Sequence, residues 1–376
     1  MFVEVHMLQS FAPANLNRDD TNNPKDCEFG GVRRARISSQ CLKRAVRTSP
    51  VFAAATGVEP GLRSKRLIER LSTPLKEARK PDADIAALLE AFVPAFASKL
   101  DKDGKRTAVL LYFSPGELRA MAQALLDSWE ELLPEKERSA AADRVAKALV
   151  KQFKDRTSAP DIALFGRMLA EKPELSLEAA CQMAHAISTH RITMEMDFYT
   201  AVDDLQPDDT AGAGMMGFTA YNSACFYRYA RVDWEQLVAN LGGDRGLARR
   251  TVKGFLAGLV EAIPTGKQNA FAAHNPPSLL LAAVRSNGMA WSLANAFEKP
   301  VRAAGDSGLI APSVAALDAY WARLCAAYGK DTLTRVAVFV LDPELPVVAL
   351  KDDLVPSARA WVDAVLSALP AEGAPA

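Results

Sequence analysis

The chain of 376 residues is 49% hydrophobic, enough for one large domain or two to three smaller ones. Its 45 Lys and Arg balance 45 Asp and Glu, which excludes a globally basic polyanion binder and leaves only local charge clusters to attract nucleic acid. Five scattered cysteines form no C-x-x-C pair and no run of 18 apolar residues exists, so a reduced, cytoplasmic protein with no membrane partner is expected.

The chain opens with MFVEVHMLQSF, which lacks a basic n-region and carries Glu4 and His6, unlike a signal peptide. Val3, Val5 and Met7 alternate, which predicts a first strand. Residues 9–31 are rich in Asn, Asp, Pro and Gly and predict a long loop.

Residues 30–50 hold six Lys or Arg and no acidic residue. Ser38 can cap a helix here, with Ile37 and Leu42 as a hydrophobic staple. On a wheel, Gln40, Lys43, Arg44 and Arg47 share an arc of about 100°, opposite Leu42, Ala45 and Val46. The loop ahead adds Lys25, Arg33, Arg34 and Arg36, and Gly30-Gly31 permits close backbone approach. Cations at a helix start suit phosphates. The alternative is a solvated face, but surface helices normally interleave signs, and this one does not.

Residues 60–156 have helical spacing, with Ser114 and Glu117 as a capping box. Within them Lys136, Arg138, Arg144, Lys147, Lys151 and Lys154 either face DNA or, with Glu135, Glu137, Asp143 and Asp155 among them, form a solvated face. Residues 175–190 also predict a helix. Residues 191–222 then predict a β-hairpin with a Gly-rich tip, residues 243–263 a helix and residues 334–342 a buried strand. The tail, residues 370–376, is expected to fray. The fold class is α+β with insertions.

The pattern LNRDD (16–20) followed by FGG-RR-RISSQ-LKRA-R (29–47) resembles the type I-E CRISPR Cascade backbone subunit, the CasC family of the RAMP superfamily. Further similar blocks, in family order, are DIALFGRM (161–168), AHAISTH (184–190), DFYTAVDDL (197–205), FYRYA (226–230), NLGG (240–243), PTGKQNAF (264–271), AAHNP (272–276) and SLANAFEK (292–299). The resemblance implies an RRM-like (ferredoxin-like) palm at 1–54, 183–190 and 223–376, helical fingers inserted at 55–182, and a thumb hairpin at 191–222. It implies a cytoplasmic ribonucleoprotein of antiviral defence. Copies of the subunit form a filament along the CRISPR RNA, gripping its backbone and leaving its bases to pair with a target DNA strand. Partners would be other copies, the large, small, 5′-handle-binding and 3′-hairpin-binding Cascade subunits, and a recruited helicase-nuclease.

Carried over residue by residue, the RNA-binding positions are Lys25, Ser38, Gln40, Lys43, Arg44 and Arg47, then Met168 near a displaced base. Phe198, Tyr199, Thr200 and Val202 match the thumb, and Lys267 is a further phosphate contact. The family position that is often Trp is Phe198 here. No enzyme, catalytic residue, metal or cofactor is expected. His185 and His190 lie five apart, about 140° around a helix, and share no face. Two rivals stand beside this reading. One is a metal-dependent ribonuclease, as in type III complexes, using Asp19-Asp20 or Asp203-Asp204. The other is a structural oligomer without nucleic acid.

Overall fold

The computed structural model describes residues 1–201, 215–303, 305–306 and 308–371. Val202, Asp203, Asp204, the hairpin tip and most of the tail lie outside the described residues. The fold is mixed α+β with a large antiparallel sheet, and the chain divides into two units.

The first unit comprises Met1–Ser49, Met183–Arg231 and Phe255–Leu369. Its sheet runs in the order Leu333–Val340, Leu279–Arg285, Phe2–Ala14, Met215–Asp233, Ala186–Ser188, Val32–Ile37, Asp26–Phe29. The first strand continues to Ala14, well into the expected loop, because Leu8, Phe11 and Ala14 are buried and extend its apolar register. Both its faces are covered. One cluster gathers Leu8, Leu281, Trp291, Leu317 and Trp321; another gathers Phe11, Ala14, Ile37, Leu42 and Phe226. Each buried Leu, Ile or Phe among them contributes about 1.5–3 kcal/mol.

The alternation predicted for this strand therefore does not separate core from solvent: Glu4 and His6 are buried on the same face as Phe2 and Leu8. Glu4 is buried and satisfied by Arg285 Nε at 2.6 Å, Tyr229 Oη at 3.0 Å and the Trp291 N–H. Tyr227 Oη accepts from Leu293 N at 2.8 Å and lies 2.9 Å from His6 Nδ1. Burial and the nearby Arg285 charge push His6 down to about 3, so its ring is neutral.

Two expectations fail here. Residues 175–190 are not helical: after the turn Pro173–Leu175 they form the short strands Cys181–Met183 and Ala186–Ser188. Tertiary pairing overrides their helical composition. Ala186–Ser188 fills the sheet between Val32–Ile37 and Met215–Asp233, and Ser188 Oγ accepts from Ala35 N at 3.0 Å while donating to His190 O at 2.7 Å. The strand Leu333–Val340 forms at the edge of the sheet order, so only Ala337 and Val338 along it are buried.

The second unit, mainly Pro50–Gln182 and Val232–Gly254, is largely helical. Helices Leu67–Glu77, Asp82–Phe96, Pro115–Asp127 and Glu135–Phe153 close over a core containing Leu71, Phe92, Phe96, Leu125 and Leu149. The Ser114 capping box forms: Glu117 N donates to Ser114 Oγ at 2.9 Å and Ser114 N donates to Glu117 Oε2 at 2.6 Å. Glu117 also holds the buried Arg167 at 2.9 Å.

Candidate nucleic-acid interface

The basic helix spans Ser39–Arg47. Nine residues are too few for a stable isolated helix, so its ends and its inner face have to hold it. Ser38 caps it, Oγ accepting from Cys41 N at 3.3 Å, and Thr48 closes it through Oγ1 to Arg44 O at 2.7 Å. Leu42, Ala45 and Val46 are buried. Gly258 lies beneath Val46, where a Cβ would come within 3.0 Å of a Val46 methyl. The outer face presents Gln40 and Arg44 exposed, with Lys43 and Arg47 half-buried. Ser38 itself is 6% exposed, and its hydroxyl serves the cap.

The rest of the basic run divides sharply. Gly30 and Gly31, at φ +61° and +70°, form the two-residue turn joining Asp26–Phe29 to Val32–Ile37. A Cβ on Gly30 would overlap the Glu298 carbonyl, so the expected close approach at Gly30 is to this chain's own backbone. Arg34 is buried and donates to the carbonyls of Phe29, Ser188, Phe297 and Glu298. It is therefore a structural cation, contrary to its reading as a loop phosphate contact. Arg33 pairs with Asp26 at 3.1 Å.

Lys25, by contrast, is half-buried and fixed by its backbone, which bonds Asn17 O at 2.8 Å and Arg36 N at 2.9 Å. Asn17 Oδ1 also accepts from Ser38 N at 2.8 Å, so one residue clips both the loop and the helix start. Burial raises the Cys41 thiol while Arg44 and Lys25 oppose the rise, which places both cations near this sulfur. Arg36 Nη1 lies 2.9 Å from His185 Nδ1. His185 is held below the usual imidazole range by desolvation, then by the charges of Arg36 and Lys25. Arg36 extends the electropositive strip, and the neutral His185 ring accepts its hydrogen bond and holds it in place. His185 was missed because only the strand register brings it to Arg36.

A cleft of about 510 Å³ adjoins the helix, lined by the turn that follows Leu16, by Arg44 and by Pro264, Thr265 and Gly266. Gly266 is required there, since a Cβ would lie 2.3 Å from Leu16 O. Lys267 follows, half-buried, with left-handed backbone at φ +49°. Asp19 Oδ1 accepts from Thr21 N, Thr21 Oγ1 and Asn23 N, which shapes the turn and holds its carboxyl below the usual range.

The hairpin pairs Glu195–Ala201 with Met215–Asp233, setting Phe198 opposite Phe218 and Thr200 opposite Met216. The two phenyl rings are 5.2 Å apart. Met196, Phe198, Met216 and Phe218 are all exposed and alternate onto one face, which leaves an apolar surface without cover. Tyr199 crosses the other face over Gly217, where a Cβ would lie 2.4 Å from its hydroxyl. Phe218, Met196 and Met216 escaped sequence reasoning, although period-2 pairing could have found them. Val202 lies outside the described residues.

In the second unit Met168 is 87% exposed, next to Arg167, which is anchored through Leu175 O at 2.7 Å and Glu117. On the helix Glu135–Phe153, Arg144 pairs with Glu131 at 3.0 Å and Arg138 donates to the Leu132 and Leu133 carbonyls. Two of its cations are thus engaged within their own unit.

Among the described residues no group of three His, Cys, Asp or Glu could hold a metal ion. Cys225 N donates to His190 Nε2 at 3.2 Å, and His190 Nδ1 lies 2.8 Å from Arg191 O. No helix of the described residues is long and apolar enough to cross a membrane.

Residues 3–356 match the family described as CT1975-like protein. One similar solved structure is a chain of a "CRISPR RNA-guided surveillance complex, pre-nicking": 31% identity, TM-score 0.85, covering 98% of this chain and 100% of that one. Another is a chain of a "CRISPR RNA-guided surveillance complex", with 27% identity, TM-score 0.74 and the same coverage. No curated protein matches the chain at a significant level.

Proposed function

Because the chain belongs to the CT1975-like protein family, we propose that it is the CRISPR RNA-binding backbone subunit of a type I-E Cascade surveillance complex. Copies line up along the guide spacer and grip its sugar-phosphate backbone. The bases stay free for a target DNA strand, so the protein reads charge and shape while pairing reads sequence. The sheet unit is the RRM-like palm, the helical unit the fingers, and the hairpin the thumb. The complex is cytoplasmic, contains the large, small, 5′-handle-binding and 3′-hairpin-binding subunits, and is acted on by a helicase-nuclease.

The observation that carries this is the Ser38-capped helix with Gln40, Lys43, Arg44 and Arg47 along its outer face and Lys25 held alongside. Phosphate oxygens need cations presented at fixed spacing, and this strip is built before any ligand arrives. The exposed Phe198–Phe218 face supplies the apolar wedge that a displaced nucleotide requires. Lys267 adds a cation beside the cleft, and Met168 is the apolar neighbour of a flipped base.

The test is assembly. Expressed with a CRISPR RNA, the chain elutes as a large ribonucleoprotein that nuclease dissolves once the RNA is exposed. Without the guide it elutes as small species. Large, nuclease-resistant oligomers in the absence of RNA would instead support a structural polymer.

A further inference from the structure

The cleft beside the basic helix contains more than a phosphate needs. At about 510 Å³ it falls within the range of small-molecule sites. Asp20 and Arg44 both line it and are exposed. Neither side chain has a hydrogen-bond or ion-pair partner among the described residues. Asp19 adds a second ionised carboxyl, with Oδ1 committed to Thr21 and Asn23.

Carboxylates repel phosphates, so a site for phosphate alone has no use for Asp20 in the same cleft as Arg44. Together they suit a ligand that carries both an anion and a hydrogen-bond donor. A DNA backbone offers the anion but no donor. An RNA backbone offers both in every residue, because the 2′-hydroxyl can donate.

We propose that this cleft seats one ribonucleotide of the bound strand, its phosphate on Arg44 and its 2′-hydroxyl donating to the Asp20 carboxylate, so that the cleft distinguishes RNA from DNA. This rests on the guide-binding function above and adds to it the group that is recognised. Pro264, Thr265 and Gly266 form a further wall of the cleft, with Gly266 packed directly on the Leu16 carbonyl.

The experiment compares the full chain's affinity for one RNA oligonucleotide and for its all-deoxy counterpart at fixed salt. Wild type binds RNA more tightly. Asp20→Ala reduces that preference about tenfold, the low end for a hydrogen bond to a charged acceptor, while deoxy-strand affinity holds or rises. Arg44→Ala weakens both strands alike. Thermal melting checks that each variant folds. An RNA-to-DNA ratio unmoved by Asp20→Ala overturns the proposal, including the case of equal losses on both strands, which would assign Asp20 to a cation of a neighbouring copy. If Lys43→Ala still weakens both strands in that case, the backbone grip survives and only the ribose recognition fails. A chain that binds neither strand overturns both.

Discussion

The Asn17 side-chain carbonyl accepts a 2.8 Å hydrogen bond from the backbone N–H of Ser38, the residue that caps the basic helix. Asn17's own backbone carbonyl holds Lys25 N at 2.8 Å. An uncharged residue thus fixes the spacing between two groups of cations. Asn17→Ala leaves the Ser38 N–H without its acceptor and costs about 1–2 kcal/mol of stability. RNA affinity falls with it, yet the slope of affinity against salt is unchanged, because no phosphate contact is lost. Melting and binding titrations check both.

Ser38 is expected to act as a cap. Ser38→Ala lowers stability by about 1 kcal/mol, and Ser38→Asn restores it, since Asn caps as well as Ser. RNA affinity follows stability through the series. Full recovery of stability in Ser38→Asn with RNA binding still lost would make the hydroxyl a direct contact.

Lys43→Ala weakens binding of unrelated guide sequences by the same factor, since a phosphate contact carries no base information. Titration of several guides tests this, and discrimination among them contradicts a backbone grip.

Phe198 and Phe218 meet at a tilt in the open, so Phe198→Ala and Phe218→Ala change stability by less than about 0.5 kcal/mol. Each alters the nuclease-protection spacing of the bound guide. Large losses of melting temperature would mean that the pair holds the fold instead.

His6 makes stability sensitive to acid. Its folded pKa of about 3 lies below the ordinary imidazole value of 6.5, so the unfolded chain takes up a proton first as pH falls. Stability from this group is therefore intact above pH 6.5 and declines by about 1.4 kcal/mol per unit between there and pH 3. Comparing denaturant unfolding of wild type and His6→Gln at pH 7 and pH 5 isolates this contribution: the gap between them narrows by about 2 kcal/mol at the lower pH.

The basic stripe was legible because a helix has one period and one cap, and both were written in residues 37–47. What sequence could not reveal was which cations the fold consumes. Arg34 sits in the same run as Arg44, yet sheet packing buries it against four carbonyls. The misread segment at 175–190 failed for a related reason. Its Ala and Ser residues have no strong strand preference, and only the gap in the sheet that they fill makes them a strand. Gly266 and His185 reach the basic helix region from distant stretches of chain, so no local pattern announced their place there.

The most direct test of the central claim is the salt dependence of RNA affinity for the wild-type chain. If about five phosphates are gripped per subunit, log affinity falls linearly with log salt at a slope of about −3.5, and Arg44→Ala makes it shallower by about 0.7. A flat response, with affinity the same at low and high salt, would contradict the phosphate grip.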